Sequence, residues 1–346
     1  MEPKTKELLE WVNQEAQKVG FSKFNVIKPL RIEASKRRYY RVENERESLI
    51  VNTLNPKEND NSKFNELSAI FLNAGVKVPR VFSLEEKKGF LLQEDFGDRL
   101  YQYHLNTSNS DKLLSAAIDQ ILIIQNIPTN SLSLPVLNES RAFSEMDLFR
   151  SWFLEKLLVI PVNEEKESNS YNVLQEAYEN VWKNLEIQPK SICHFDFESR
   201  NLLALENTDG EESTGIIDFQ DALIGPVSLD LVSLLKDLYH PLSDDRIIYY
   251  ADLYLSKGID SGVLKNVNLE EFISWIEWSG IQRQLRIMGV LSRMYILDKK
   301  KSRLLDLETT MNYLIKSSEG LQGMIDFYNF LVDIKPKLLA FLAPYK

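Results

Sequence analysis

Histidine and cysteine are nearly absent: His104, His194, His240 and Cys193 are the only ones in 346 residues. One cysteine closes no internal disulfide, and three scattered histidines make no zinc-type cluster, so any metal is expected to be a hard ion held by oxygen. Glycine and proline are sparse, 13 and 12, which excludes a fibrous or low-complexity chain. No apolar run reaches the roughly 20 residues of a membrane span. The most apolar stretch, from Leu113, is broken by Asp119 and Gln120. The first twenty residues do not follow a signal-peptide pattern. They predict a helix with Leu8, Val12, Ala16 and Val19 on one face, closed by Gly20. A cytoplasmic location is expected. Basic residues are the minority, 41 against 51 acidic, and the net charge of −10 repels nucleic-acid backbones and anionic lipid. Neither nucleic acid nor membrane is an expected partner.

What is present is 44% apolar and 27% charged residues, the balance of a soluble globular chain long enough for two structural units. Residues 1–92 read as a small β-rich unit. The runs YYRV, SLIVNTL and GFLLQ have strand character, and SKFNELSAIFLNAG reads as a helix closed by Gly75. After a connection at 93–98, residues 99–346 are mostly helical, with periodic segments at 112–126, 145–158 and 172–185 and through most of the chain beyond Pro226. The fold class expected is α+β. One stretch interrupts the helices, KSICHFDFESRNLLALENTDGEESTGIIDFQDA, which predicts a loop followed by a β-hairpin.

That interruption carries the chemistry. His194-Phe195-Asp196-Phe197-Glu198-Ser199-Arg200-Asn201 fits H-x-D-x-x-x-x-N, and seventeen residues after the asparagine Asp218 ends the apolar run GIID. Antiparallel pairing around a turn at Asp209-Gly210 would set Asn201 beside Asp218. An amide oxygen and a carboxylate held together suit Mg²⁺. Asp196, five residues earlier, supplies the carboxylate that phosphoryl transfer orients toward an incoming hydroxyl. Each short string alone is weak, since D-x-x-x-x-N arises by chance and a strand-ending aspartate often only caps the next element. Loop, hairpin and second aspartate in this order are specific. An earlier Asp95-Phe96-Gly97 copies the metal-binding triplet of protein kinases but lies roughly a hundred residues too early, so Asp218-Phe219-Gln220 is its counterpart.

With these residues in view, the chain resembles the aminoglycoside phosphotransferase-like kinases over nearly its whole length. The segments EASKRRYYRV, NAGVKVPRVF, GFLLQEDFGD, HFDFESRNLL, IIDFQDALIGPVSLDLVSLLKDLY and IQRQLRIMGV are similar to those of the bacterial anomeric N-acetylmuramate/N-acetylglucosamine 1-kinases of cell-wall recycling. The resemblance implies a bilobal protein-kinase-like fold that uses ATP and Mg²⁺. It makes Asp196 the catalytic base and Asn201 and Asp218 the metal ligands. His194 braces the loop, and Asp230 anchors its backbone from a helix start. Gln93, Glu94 and Asp95 form a hinge whose backbone meets adenine. Asp221 is a second candidate at the metal edge, with a capping role as its plain alternative.

The hairpin over the phosphates, EASKRRYYRV, has no glycine but a basic cluster, Lys36, Arg37, Arg38 and Arg41, in which Arg37 and Arg38 are the candidates for phosphate contact. A solvated basic turn is the alternative. The third strand carries Asn52 where kinases place a lysine, which leaves Glu66 without the partner it has in other kinases. Glu198 stands where the sugar kinases usually carry histidine, and a carboxylate there calls for a compensating cation. On the acceptor side Gln282 and Arg283 are the candidates, with Trp152 as a stacking face. The helix opened by the capping-box pattern Asn268-x-x-Glu271 presents Gln282 and Arg283. Trp275 and Trp278 are expected in the core. The same chemistry on an aminoglycoside or choline, or a nucleotide-binding regulator without turnover, are the alternative functions.

Overall fold

A computed structural model describes residues 3–30, 37–55, 61–162, 169–206 and 212–346. The turn expected at Asp209-Gly210 and the hairpin position Lys36 lie outside those residues. The chain forms two compact units that interleave in sequence, residues 1–124 with 200–221, and residues 125–199 with 222–346. Among the described residues no helix is long and apolar enough to cross a membrane.

The first unit is built on a five-stranded antiparallel sheet in the order β1-β2-β3-β5-β4. Its strands are β1 (Val26–Pro29), β2 (Arg38–Glu43), β3 (Ser48–Thr53), β4 (Val81–Glu85) and β5 (Phe90–Glu94). Helix α1 (Pro3–Lys18) lays Leu8, Trp11, Val12 and Ala16 on the sheet, against Val42, Val51, Phe90 and Leu92. Val19, expected on that face, is 47% exposed because the helix has ended one residue earlier and Gly20 turns the chain at φ 93°. Helix α2 (Ser62–Asn73) buries Phe64, Leu67 and Phe71 and stops before Gly75, whose φ of 90° suits a residue without Cβ. The unit also holds α3 (Tyr101–His104), most of α4 (Ser110–Gln125) and a separate hairpin.

The second unit is helical around one short antiparallel pair. It comprises α5 (Glu139–Met146), α6 (Asn169–Glu186), β6 (Lys190–Cys193), the hairpin strands β7 (Leu202–Glu206) and β8 (Glu212–Ile216) of the first unit falling between, then β9 (Leu223–Pro226). The last stretch carries α7 (Leu229–Leu235), α8 (Asp244–Asp260), α9 (Leu269–Asp298), α10 (Asp306–Ser318) and α11 (Ile325–Leu342). The 30-residue α9 is its spine, capped by Asn268, whose side chain accepts from the Glu271 amide at 2.9 Å. Trp275 and Trp278 are buried on it.

The single helix expected across 145–158 is instead two pieces, α5 and a π-helix at Phe149–Leu157. Leu158 N donates to Phe153 O, five residues back. The break falls where Leu148 crosses α9 at Gly289, so closely that a Cβ there would lie 2.3 Å from that of Leu148.

Candidate active site

In the second unit, β6 delivers the chain into the loop 194–199, which short-range partners hold almost atom by atom. The buried Asp230, in the first turn of α7, accepts from the amides of His194 at 2.7 Å and Phe195 at 2.9 Å. Burial pushes its carboxyl above the ordinary range, against the pull of His194 and of those two amides. The amide of Asp196 donates to His194 Nδ1 at 3.3 Å, and that of Glu198 to Asp196 O at 3.0 Å. Asp237 accepts from the Ser199 amide at 2.7 Å. His194 is fully buried, edge-on to Phe197 at 5.7 Å. Phe195 has a φ of 79°, a left-handed conformation that an aromatic residue adopts only when its surroundings impose it. Arg286 from α9 donates to Asp196 Oδ1 at 3.0 Å and lies 4.3 Å from the centre of the Phe195 ring.

In the first unit, the hairpin of β7 and β8 pairs Leu202 with Ile216, and Ile217 N donates to Asn201 O at 3.0 Å. Asn201 therefore faces Ile217, one residue short of the aspartate. Asp218 follows with φ 64° and leaves the ladder. Gln220 Nε2 donates to Asp218 Oδ1 at 2.8 Å and to Asp221 Oδ2 at 3.5 Å. Two carboxylates at one amide, with Asn201 at the same end of the hairpin by its backbone pairing, offer oxygen donors of the kind a hard divalent ion takes. Phe219 is locked beneath α2 by Phe64 at 4.4 Å and Phe71 at 5.7 Å.

Also in this unit, Gln93 is buried and Glu94 ends β5 with its amide bonded to Arg80 O at 2.9 Å. Arg41, part of the basic cluster, is held by the early Asp-Phe-Gly turn: its guanidinium lies 2.6 Å from Asp95 and 2.7 Å from Asp98, and it donates to Gly97 O at 3.2 Å. Arg38 is exposed at the start of β2, whereas Arg37 reaches Asn61 Oδ1 at 3.4 Å. Asn61 in turn donates to Asn52 Oδ1 at 3.0 Å, and the buried Nδ2 of Asn52 has no partner among the described residues. The phenol of Tyr39, opposite Asn52 in the sheet, is pushed up first by burial and then by Asp218 and Asp221, against the pull of Arg37. Position 52 thus carries an amide relay toward Arg37, and Glu66 is exposed on α2.

The Phosphotransferase enzyme family matches residues 26–264, more than two thirds of the chain. The chain belongs to that family. A Pseudomonas aeruginosa protein named N-acetylmuramate/N-acetylglucosamine kinase is 29% identical over 286 residues, covering 83% of this chain and 82% of its own. A Neisseria meningitidis serogroup B protein of the same name is 28% identical over 263 residues, 75% of this chain and 76% of its own. A choline kinase of Streptococcus pneumoniae superposes with a TM-score of 0.59 at 13% identity, covering 92% of this chain and 99% of its own. An ADP-bound aminoglycoside phosphotransferase gives 0.56 at 16% identity, with 93% and 98% covered. These two likenesses show the fold, α+β and kinase-like.

The phosphotransferase's second unit also contains the residues expected on the acceptor side. Gln282 and Arg283 are buried on α9. Gln282 donates to Glu145 at 3.1 Å, and Glu145 also accepts from Arg141 at 2.9 Å. Arg283 donates to Ser233 and to Glu198, each at 2.7 Å. Glu198 thus has its compensating cation, supplied from a residue 85 positions away. One face of Trp152 carries Lys156, 3.5 Å from the ring centre. Arg283→Met would strand a buried carboxylate, and is expected to cost about 3–5 kcal/mol of unfolding free energy in urea titration. The double variant Arg283→Met with Glu198→Gln should recover most of that. Equal losses in the two would show that the ion pair is not what the arginine supports. Signals missed in the sequence are Arg286 and Asp237, which no motif marks.

Proposed function

We propose that this phosphotransferase is an ATP-dependent kinase that transfers the γ-phosphoryl group to a sugar hydroxyl, the anomeric hydroxyl of N-acetylmuramate or N-acetylglucosamine. The observation that carries the reading is the HFDFESRN loop, in which Asp230 and Asp237 fix the backbone and Arg286 meets the carboxylate of Asp196. An immobilised carboxylate on such a loop suits a base that orients a hydroxyl for in-line attack. The sugar is the acceptor named for the relatives that match about four fifths of the chain.

In this reading Asp196 accepts the proton of the acceptor hydroxyl. His194 and Asp230 hold the loop that carries it. Asn201 and Asp218 hold Mg²⁺, with Asp221 beside them through Gln220. When bound, the ion neutralises charge on the phosphate oxygens. Arg37 and Arg38 add cationic donors to the phosphates. The backbone at Gln93, Glu94 and Asp95 meets adenine, in a hinge at 93–98 that separates an N-terminal lobe, 1–92, from a helical one, 99–346. Gln282 and Arg283 act on the acceptor side by fixing Glu145 and Glu198. In this reading the enzyme is cytoplasmic.

An aminoglycoside acceptor is disfavoured by charge, because its several ammonium groups call for unpaired carboxylates, and both glutamates facing Arg286 are already paired, Glu145 to Arg141 and Glu198 to Arg283. The purified protein, given Mg·ATP and either sugar, is expected to yield a sugar 1-phosphate by phosphorus NMR. No product from either sugar, with ATP still raising the melting temperature, would favour a nucleotide-binding regulator.

A further inference from the structure

Five of the six amides in the loop 194–199 are bonded within the unit: those of His194 and Phe195 to Asp230, that of Asp196 to the His194 ring, that of Glu198 to the Asp196 carbonyl and that of Ser199 to Asp237. With the backbone so fixed, the orientation of the Asp196 carboxylate is set by what its side chain contacts. Arg286 is such a contact, bonding Asp196 Oδ1 at 3.0 Å. The arginine is itself steered. It is stacked 4.3 Å from the Phe195 ring, which the positive φ of that residue turns toward α9, and Arg141 lies 5.3 Å from the same ring. Glu145 from α5 and Glu198 from the loop also act on Arg286, but each is bonded to another arginine.

We propose that Arg286 is a positioning residue for phosphoryl transfer, which holds the Asp196 carboxylate in the one orientation that meets the acceptor hydroxyl. This rests on Asp196 being the base. The strained peptide at Phe195 then has a reason, since a relaxed backbone would turn the ring from α9 and release the guanidinium. A side chain loose by about an ångström loses on the order of a hundredfold in rate.

The test is steady-state kinetics with Mg·ATP and N-acetylglucosamine on five proteins: wild type, Asp196→Asn, Arg286→Met, Arg286→Lys, and Arg286→Met combined with Asp196→Asn. Arg286→Met is expected to lower kcat by about thirtyfold or more, with both KM values within about threefold. Arg286→Lys is expected to return most of the loss. The double variant should be no slower than Asp196→Asn alone, because the arginine acts through the aspartate. An unchanged kcat in Arg286→Met, or a double variant slower by the full product of the single effects, overturns the proposal. Should Arg286→Met melt below the assay temperature, Arg286→Gln is read in its place. A wild-type protein that phosphorylates no sugar removes the underlying reading, and shows it before any variant is made.

Discussion

Asp196→Asn is expected to lower kcat by at least about a hundredfold, while the Kd for ATP, measured by calorimetry, stays within about twofold. The amide keeps the size of the carboxylate and an oxygen for Arg286, so the bond at 3.0 Å has an acceptor in the variant. It cannot take a proton. The loop should survive, because Asp230 and Asp237 hold its backbone from α7 and the residues after it. A loss of less than tenfold with the fold intact would assign proton transfer to another group. A loss accompanied by weakened ATP binding would place Asp196 among the nucleotide's contacts.

Gly289→Ala is expected to be the most damaging small substitution in the second unit. In a helix interior alanine is favoured over glycine by roughly 0.5–1 kcal/mol, so on propensity alone the change stabilises. Packing decides otherwise. The new Cβ would lie 2.3 Å from Leu148 Cβ and 2.4 Å from its carbonyl carbon, and a backbone carbon cannot swing aside as a side chain does. Overpacking in a core costs about 1–3 kcal/mol even where side chains can move. A net loss of about 3 kcal/mol or more is therefore expected in urea unfolding. Gly280→Ala on the same helix is the control, since its nearest neighbour is the end of Lys236 at 3.2 Å, and its loss should be smaller. Equal stability of Gly289→Ala and the wild type would mean that α9 and the segment at Leu148 are not packed as closely as described.

Much of the candidate site lies in one short stretch of sequence, which is why its succession of loop and hairpin was legible. The H-x-D-x-x-x-x-N loop, the hairpin and the aspartate span residues 194–218, and local spacing and turn chemistry govern such a segment. The helix stop at Gly75 and the cap at Asn268 were legible for the same reason, each being set by residues a few positions apart. The strand runs around Tyr40, Ile50 and Leu91 became β2, β3 and β5. The register of the hairpin was not, because turn residues predict that a hairpin forms more firmly than which amide faces which, and Asn201 came to face Ile217. Nor was the break at Leu148, where apolar periodicity runs on across a π-helix.

The sequence by itself determined the α+β class, the kinase-like family and the order of loop, hairpin and aspartate, since each is written in patterns of neighbouring residues. Only the tertiary structure decided which cations meet which carboxylates. Arg286 reached Asp196, Arg283 reached Glu198, and Arg41 went to Asp95 and Asp98. Their partners lie 54 to 90 residues away in the chain. Charge carries no address along a sequence, and an arginine finds its carboxylate only when packed helices and strands bring the two within reach.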